Sequence, residues 1–72
     1  MIDMEIKKEL AALDGGLKKL CLISWNKRPA KLDLRAWHEQ DGQPRAGKGL
    51  TLTDAEAADL VAALQEYLNG KG

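Results

Sequence analysis

Residues 53–70 leave the fewest structural choices. Thr53-Asp54-Ala55-Glu56 reads as a capping box, in which the Thr53 hydroxyl accepts from a backbone N–H and the Glu56 carboxylate reaches back to the Thr53 N–H. Asp54 adds negative charge at the positive end of the helix dipole. Ala57, Leu60, Val61, Leu64, Tyr67 and Leu68 then recur at helical spacing and form one apolar stripe. Asn69-Gly70 reads as the C-cap. An apolar stripe has to be laid against another layer. In a chain of 72 residues, that layer has to come from residues 1–52.

Those residues read as strands. From 2 to 12, Ile2, Met4, Ile6, Leu10 and Ala12 occupy every second place, broken by Lys8. This is the pattern of a half-buried strand, although Glu, Lys, Leu and Ala also suit a helix. Asp14-Gly15-Gly16 marks a hairpin. KLCLISWN, preceded by Lys18, is apolar on both faces and forms a second strand over 18–26, and Lys27-Arg28-Pro29-Ala30 reads as a turn. KLDLRAWH over 31–38 alternates cleanly: Leu32, Leu34 and Ala36 point to a core, while Lys31, Asp33, Arg35 and Trp37 point away. Glu39 to Gly47 holds Gly, Pro, Gln and Asp and is expected to be a mobile loop. Leu50 and Leu52 give a short fourth strand. The expected fold is α+β, a ββββα antiparallel meander with one face covered by the helix.

One small domain over 1–72 is all this length accommodates, and its core supplies only about 3–5 kcal/mol. The single cysteine excludes an internal disulfide, so association of subunits is the expected supplement. Cys21 lies in an apolar run and reads as a buried thiol. The start, MIDMEIKKEL, has neither signal-peptide nor membrane-span character, which points to a soluble, cytoplasmic protein. The net charge of zero conceals a split. Residues 18–48 hold Lys18, Lys19, Lys27, Arg28, Lys31, Arg35, Arg45 and Lys48 against Asp33, Glu39 and Asp41, a net +5, whereas Thr53–Asn69 is −4. A basic face meeting an anion is the implied arrangement.

The anion is not a nucleotide in a phosphate-binding loop. GQPRAGK at 42–48 fits G-x-x-x-x-G-K, but Gly49 stands where Ser or Thr should hold magnesium, no apolar strand precedes it, and the chain has no room for βαβ units. Lys48 between two glycines serves better as a phosphate contact, with Gly47 and Gly49 turning the backbone at the start of the last strand. Trp37 shares its face with Lys31 and Arg35. Rings among cations read single-stranded nucleic acid, because bases stack on the ring while cations follow the phosphates; packing under the 39–47 loop or at a subunit contact is the alternative. Trp25 suits either the core or a groove rim beside Asn26-Lys27-Arg28. Catalysis finds little support. His38, Ser24 and Cys21 have no partner suggested by spacing, Asp33 reads as a cross-strand charge partner, no Cys/His spacing supports zinc, and no cofactor is implied.

SWN, KLDLRAW, GKGLTLT and the amphipathic helix together resemble the positive-cofactor-four family of transcriptional coactivators, in its short bacterial form, over about residues 18–68. The resemblance implies a curved four-stranded sheet with a C-terminal helix, paired as a homodimer through helix and sheet, with Leu60, Val61, Leu64 and Leu68 at the interface. It implies sequence-tolerant binding of single-stranded DNA, a transcription-associated role, and a nucleoid location in a bacterium. Arg35, Trp37 and Lys48 match family positions that face nucleic acid. Trp25 takes the place of an aromatic near the second turn, and Asn26, Lys27, Arg28, Lys31, Arg45, Lys18 and Lys19 support them. The Ser-rich and Lys-rich region of animal members is not seen, so coactivation of that kind is not expected. An interaction module of the transcription machinery, motivated by the acidic helix, and an RNA-binding protein are the other readings.

Overall fold

The computed structural model describes residues 3–71. Four strands and a helix follow in order: β1 (Met4–Leu13), β2 (Lys18–Trp25), β3 (Lys31–Gln40), β4 (Gln43–Leu52) and α1 (Asp54–Gly70). The strands form one antiparallel sheet in the order β1-β2-β3-β4. The expected meander and C-terminal helix are both present. Ile2, the first apolar residue of the expected opening strand, lies outside the described residues.

Each reversal uses residues at positive φ. Asp14-Gly15-Gly16 forms a 3-10 turn with φ of 52°, 68° and 98°. Asn26 and Lys27 lie at 51° and 62°, and the Arg28 N–H donates to the Trp25 carbonyl at 3.0 Å. Asp41 and Gly42 lie at 55° and 74°. Paired positive φ values are the mark of a type I′ turn, whose twist matches that of the flanking strands. Two expectations are corrected here. The second turn is centred on Asn26-Lys27 rather than spread over 27–30. The segment 39–47 is not a mobile loop: Gln40 pairs with Gln43, Glu39 with Pro44, His38 with Arg45 and Trp37 with Ala46. A tight Asp-Gly turn lets polar strands keep pairing where neither has an apolar face to bury. β4 is accordingly 10 residues long, and Pro44 is tolerated because β4 is an edge strand.

Three register shifts set the faces. Two fall in β1, between Ile6 and Lys8 and between Glu9 and Ala11. Each inserts one residue and turns those that follow to the other face, which is why the alternation breaks at Lys8. β2 and β3 alternate without interruption against one another. Leu20, Leu32, Leu34 and Leu52 turn toward α1. Cys21, Ile23 and Asp33 turn away from it and are the most buried side chains, at 1%, 0% and 0% exposed.

The helix begins as expected. Thr53 Oγ1 accepts from the Glu56 N–H at 3.1 Å, and the Thr53 N–H donates to Glu56 Oε1 at 2.9 Å. Its end differs: Gly70 is the last helical residue and Lys71 follows at φ −76°, so no left-handed cap forms. The larger difference lies in packing. The stripe does not close over the leucine face. An apolar cavity of ≈ 220 Å³ separates Leu20, Leu32 and Leu34 from Leu60 and Leu64. Leu60, Val61, Leu64, Tyr67 and Leu68 are all at least 38% exposed. The radius of gyration is 13.9 Å, against about 11 Å for a compact chain of this length. Connectivity is the cause. Only Thr53 separates α1 from β4, and β4 is the sheet's edge, so the helix leaves sideways and touches the sheet chiefly along β4. Among the described residues no helix is long and apolar enough to cross a membrane.

Candidate nucleic-acid interface

Strand parity places Lys19, Cys21, Ile23 and Trp25 of β2 on the sheet face turned away from α1, together with Lys31, Asp33, Arg35 and Trp37 of β3. This settles the position of Trp25, which the pattern alone leaves open: both tryptophans are on the same side of the sheet, half-buried, at opposite ends of the β2–β3 pair. The Trp37 N–H donates to the Leu17 carbonyl at 2.8 Å, extending the β2–β3 pairing by one place beyond Lys18 and Ala36. Neither indole Nε1–H finds an acceptor among the described residues, so the two rings are held by packing rather than by polar anchors.

Arg35 occupies the middle of this face and donates from all three guanidinium nitrogens. Its Nε donates to Asp33 Oδ1 at 2.7 Å and its Nη2 to Asp33 Oδ2 at 2.8 Å, a bidentate fork. Nη1 donates to the Gly47 carbonyl at 3.0 Å. The guanidinium carbon lies 5.1 Å from the Trp25 ring centroid, within cation–π range. The hydrogen bonds with Asp33 push the Arg35 pKa up from its ordinary value, against the opposing effect of burial. Asp33 therefore pairs with its neighbour two places along the same strand. Its cross-strand partners are Cys21 and Thr51, not charges, which corrects the cross-strand reading.

Gly47-Lys48-Gly49 is the third bulge. Arg35 opposes Gly49 and Trp37 opposes Ala46, so Gly47 and Lys48 together face Ala36 alone. The glycines do not turn the chain, as neither has positive φ. What they permit is close approach. A Cβ at Gly49 would meet the Arg35 Cβ, with the Arg35 Cα and the Leu34 carbonyl oxygen each 2.6 Å away. Lys48 is exposed on the bulge.

The remaining cations separate into groups. Lys27 and Arg28 are exposed at the Asn26-Lys27 turn, beside Trp25, and Lys31 is exposed at the start of β3. Among the described residues ion pairs involve only Lys7, Lys19 and Arg35 on the basic side. Lys19 is half-buried and 3.3 Å from Glu9. Asn26 ties the second turn to the start of the chain. Its N–H donates to the Asp3 carbonyl at 2.6 Å and its Oδ1 accepts the Asp3 N–H at 3.1 Å. Lys18 and Arg45 are not brought to the tryptophan face. Lys18 has the parity of Leu20, and Arg45 pairs with His38, which has the parity of Leu34. The bulge and the long β3–β4 hairpin were the features that sequence reasoning missed; glycines inside a strand pattern and Asp-Gly between polar strands were their signals.

Cys21 and Ser24 are the other groups with nucleophilic side chains near this face and its turn. Burial, with Glu9 nearby, pushes the Cys21 thiol above its ordinary pKa, which keeps it protonated and unreactive. Ser24 Oγ donates to the Arg28 carbonyl at 2.6 Å, closing the turn.

Comparison with known proteins bears on this geometry. The family model described as transcriptional coactivator p15 (PC4) matches residues 13–63, which takes in β2, β3, β4 and the first part of α1. The chain is similar to an uncharacterized protein of Treponema pallidum (strain Nichols), 45% identical over 56 residues. That match covers 78% of this chain and 59% of the relative, so the chain corresponds to little more than half of the relative's length.

Proposed function

The chain belongs to the transcriptional coactivator p15 (PC4) family, and from that premise we propose that it is a homodimeric, sequence-tolerant single-stranded DNA-binding protein with a transcription-associated role. Family membership supports DNA binding related to transcription. The observation that carries the single-strand reading is the shared face of Trp25 and Trp37, with Lys27, Arg28 and Lys31 exposed beside it and Lys48 exposed on the β4 bulge at the sheet's edge. Rings offer stacking surfaces that every base can use, and exposed cations follow the phosphates without reading sequence. The leucine face and the α1 stripe lie on the other side, where a second copy can cover them without blocking the tryptophans. Leu60, Val61, Leu64 and Leu68 are the interface residues on this reading. Binding rather than catalysis is proposed because Cys21 is held neutral, Ser24 is committed to its turn and His38 stands on the opposite face.

The test is titration of a fluorescent poly-thymidine strand of about 20 nucleotides, followed by tryptophan quenching across a salt series. Quenching with a log–log salt slope of about −0.7 for each phosphate contacted is expected. No binding at low salt refutes the reading. A ribose strand of the same sequence that binds much tighter redirects it to RNA, since only 2′-hydroxyl contacts make that distinction.

A further inference from the structure

Family resemblance and charge both point to Arg35 as a phosphate contact, but its surroundings give it another role. The Arg35 side chain is only 15% exposed, and the Asp33 side chain that it grips is 1% exposed. Three of its nitrogens are already donating, two to Asp33 and one to the Gly47 carbonyl. The central carbon of the guanidinium stands over the Trp25 ring, 5.1 Å from the centroid. The backbone of Gly49 runs close beside the Arg35 Cα and Cβ, where a side chain would not fit. An arginine fully paired with a buried carboxylate also has little charge left for a phosphate. We infer that Arg35 is a positioning residue of the nucleic-acid face: it braces one side of the Trp25 ring, leaving only the other side for a base, and it tethers the bulge that presents Lys48.

The inference rests on the single-strand reading above and makes it more specific. It divides the face into exposed cations that set the salt dependence and one half-buried cation that sets the geometry of an aromatic platform. A half-buried arginine held by the fork of a buried carboxylate is the appropriate brace. Its planar group matches both the carboxylate and the ring, which an ammonium does not. Stacking on a displaced ring loses part of a contact whose full removal weakens binding about 5- to 140-fold.

Two variants test it. Arg35→Lys keeps the charge and a partner for Asp33 but loses the fork. Asp33→Asn combined with Arg35→Gln removes both charges and leaves no unpaired carboxylate in the core. In a Trp37→Phe background, Trp25 emission and near-ultraviolet circular dichroism are read without DNA. In the unaltered Trp37 background, affinity for the thymidine strand and its salt slope are read. Both variants are expected to shift the Trp25 spectrum and to weaken binding by up to about 140-fold, with the salt slope unchanged. Wild-type affinity in Arg35→Lys, or a slope smaller by about 0.7 in the neutral pair, overturns the inference in favour of a phosphate contact. An unchanged Trp25 spectrum overturns the bracing. Failure of the wild-type protein to bind refutes the single-strand reading itself, and with it the nucleic-acid part of this one.

Discussion

Gly49→Ala is the sharpest test of how the β4 bulge is built. An alanine Cβ at this position would overlap the Arg35 side chain and lie 2.6 Å from both the Arg35 Cα and the Leu34 carbonyl oxygen. Two of those three contacts are backbone, so no rotamer change relieves them; β3 and β4 must separate where Arg35 pairs with Gly49. Overpacking of this kind costs about 1–3 kcal/mol even when side chains can shift, and the upper end applies here. A domain of this size has only about 3–5 kcal/mol to lose. With a urea dependence near 1 kcal/mol per molar, the midpoint should fall by about 2–3 M. Two glycines serve as controls. At Gly47 the new Cβ meets the Ala36 carbonyl oxygen at 3.1 Å, and φ is not positive. A few tenths of an ångström of adjustment, offset by about 0.4–1 kcal/mol of reduced unfolded-state entropy, leaves that variant near neutral. At Gly42 nothing lies within 4 Å but φ is +74°, so the cost is strain alone, about 1 kcal/mol. Urea melts of all three variants at one protein concentration decide the matter. A Gly49→Ala midpoint no lower than that of Gly47→Ala would refute the close approach of the two strands.

Other expectations follow from the same geometry. Leu64 is 49% exposed in the single chain, so Leu64→Ala should cost about 1–2 kcal/mol if the chain works alone but about 2–5 if a second copy buries it; in the latter case the melting temperature of the wild type rises with protein concentration and that of the variant lies lower throughout. Lys31→Gln should reduce the magnitude of the salt slope by about 0.7, while Lys18→Gln and Arg45→Gln, both on the leucine side, should leave it unchanged; a fall with either control would place the ligand on the wrong face. The folded state holds the Cys21 proton more tightly than the unfolded state does, because burial raises its pKa. Its contribution to stability is therefore constant below about pH 8.5 and declines above that, where the unfolded thiol ionises first. Cys21→Ala should flatten the alkaline decline relative to the wild type, and thiol titration of the native protein at pH near 8 should be slow.

How much of this was legible in the sequence depended on whether a signal was local. The capping box was legible because Thr53 and Glu56 settle their own hydrogen bonds. The faces of β3 were legible because Leu32 to Trp37 alternate without a bulge in that strand. The face of Trp25 was not, because β2 is apolar on both sides and only pairing with β3 orients it. The β3–β4 hairpin was hidden by composition: Glu39, Gln40, Gln43 and Pro44 look like loop residues, and the I′ turn at Asp41-Gly42 overrides that preference. Arg35 was legible as to its face but not as to its role. The charge count registers a cation there, yet whether it is free depends on the Asp33 carboxylate beside it and on the Gly47 carbonyl twelve residues away.

The gap under α1 decides whether the proposed second subunit is needed. The ≈ 220 Å³ of apolar space under α1 opens to solvent, with Leu60 and Leu64 38% and 49% exposed, and is not a sealed, dry cavity. A chain acting alone leaves those leucines wet, losing the burial that an apolar stripe exists to supply. A dimer fills the space with side chains from the other copy. Ala57 lines the cavity from the first turns of the helix and distinguishes the cases by sign. Ala57→Leu adds three carbon atoms to the cavity. In a lone chain it occupies open space and stabilises by about 0.5–2 kcal/mol. In the dimer it competes with a residue already there and costs about 1–3 kcal/mol. Equilibrium unfolding paired with sedimentation reads both quantities. Destabilisation with a shift toward monomer is the expected result, and stabilisation with no change of mass would remove the dimer from the proposal while leaving the tryptophan face intact.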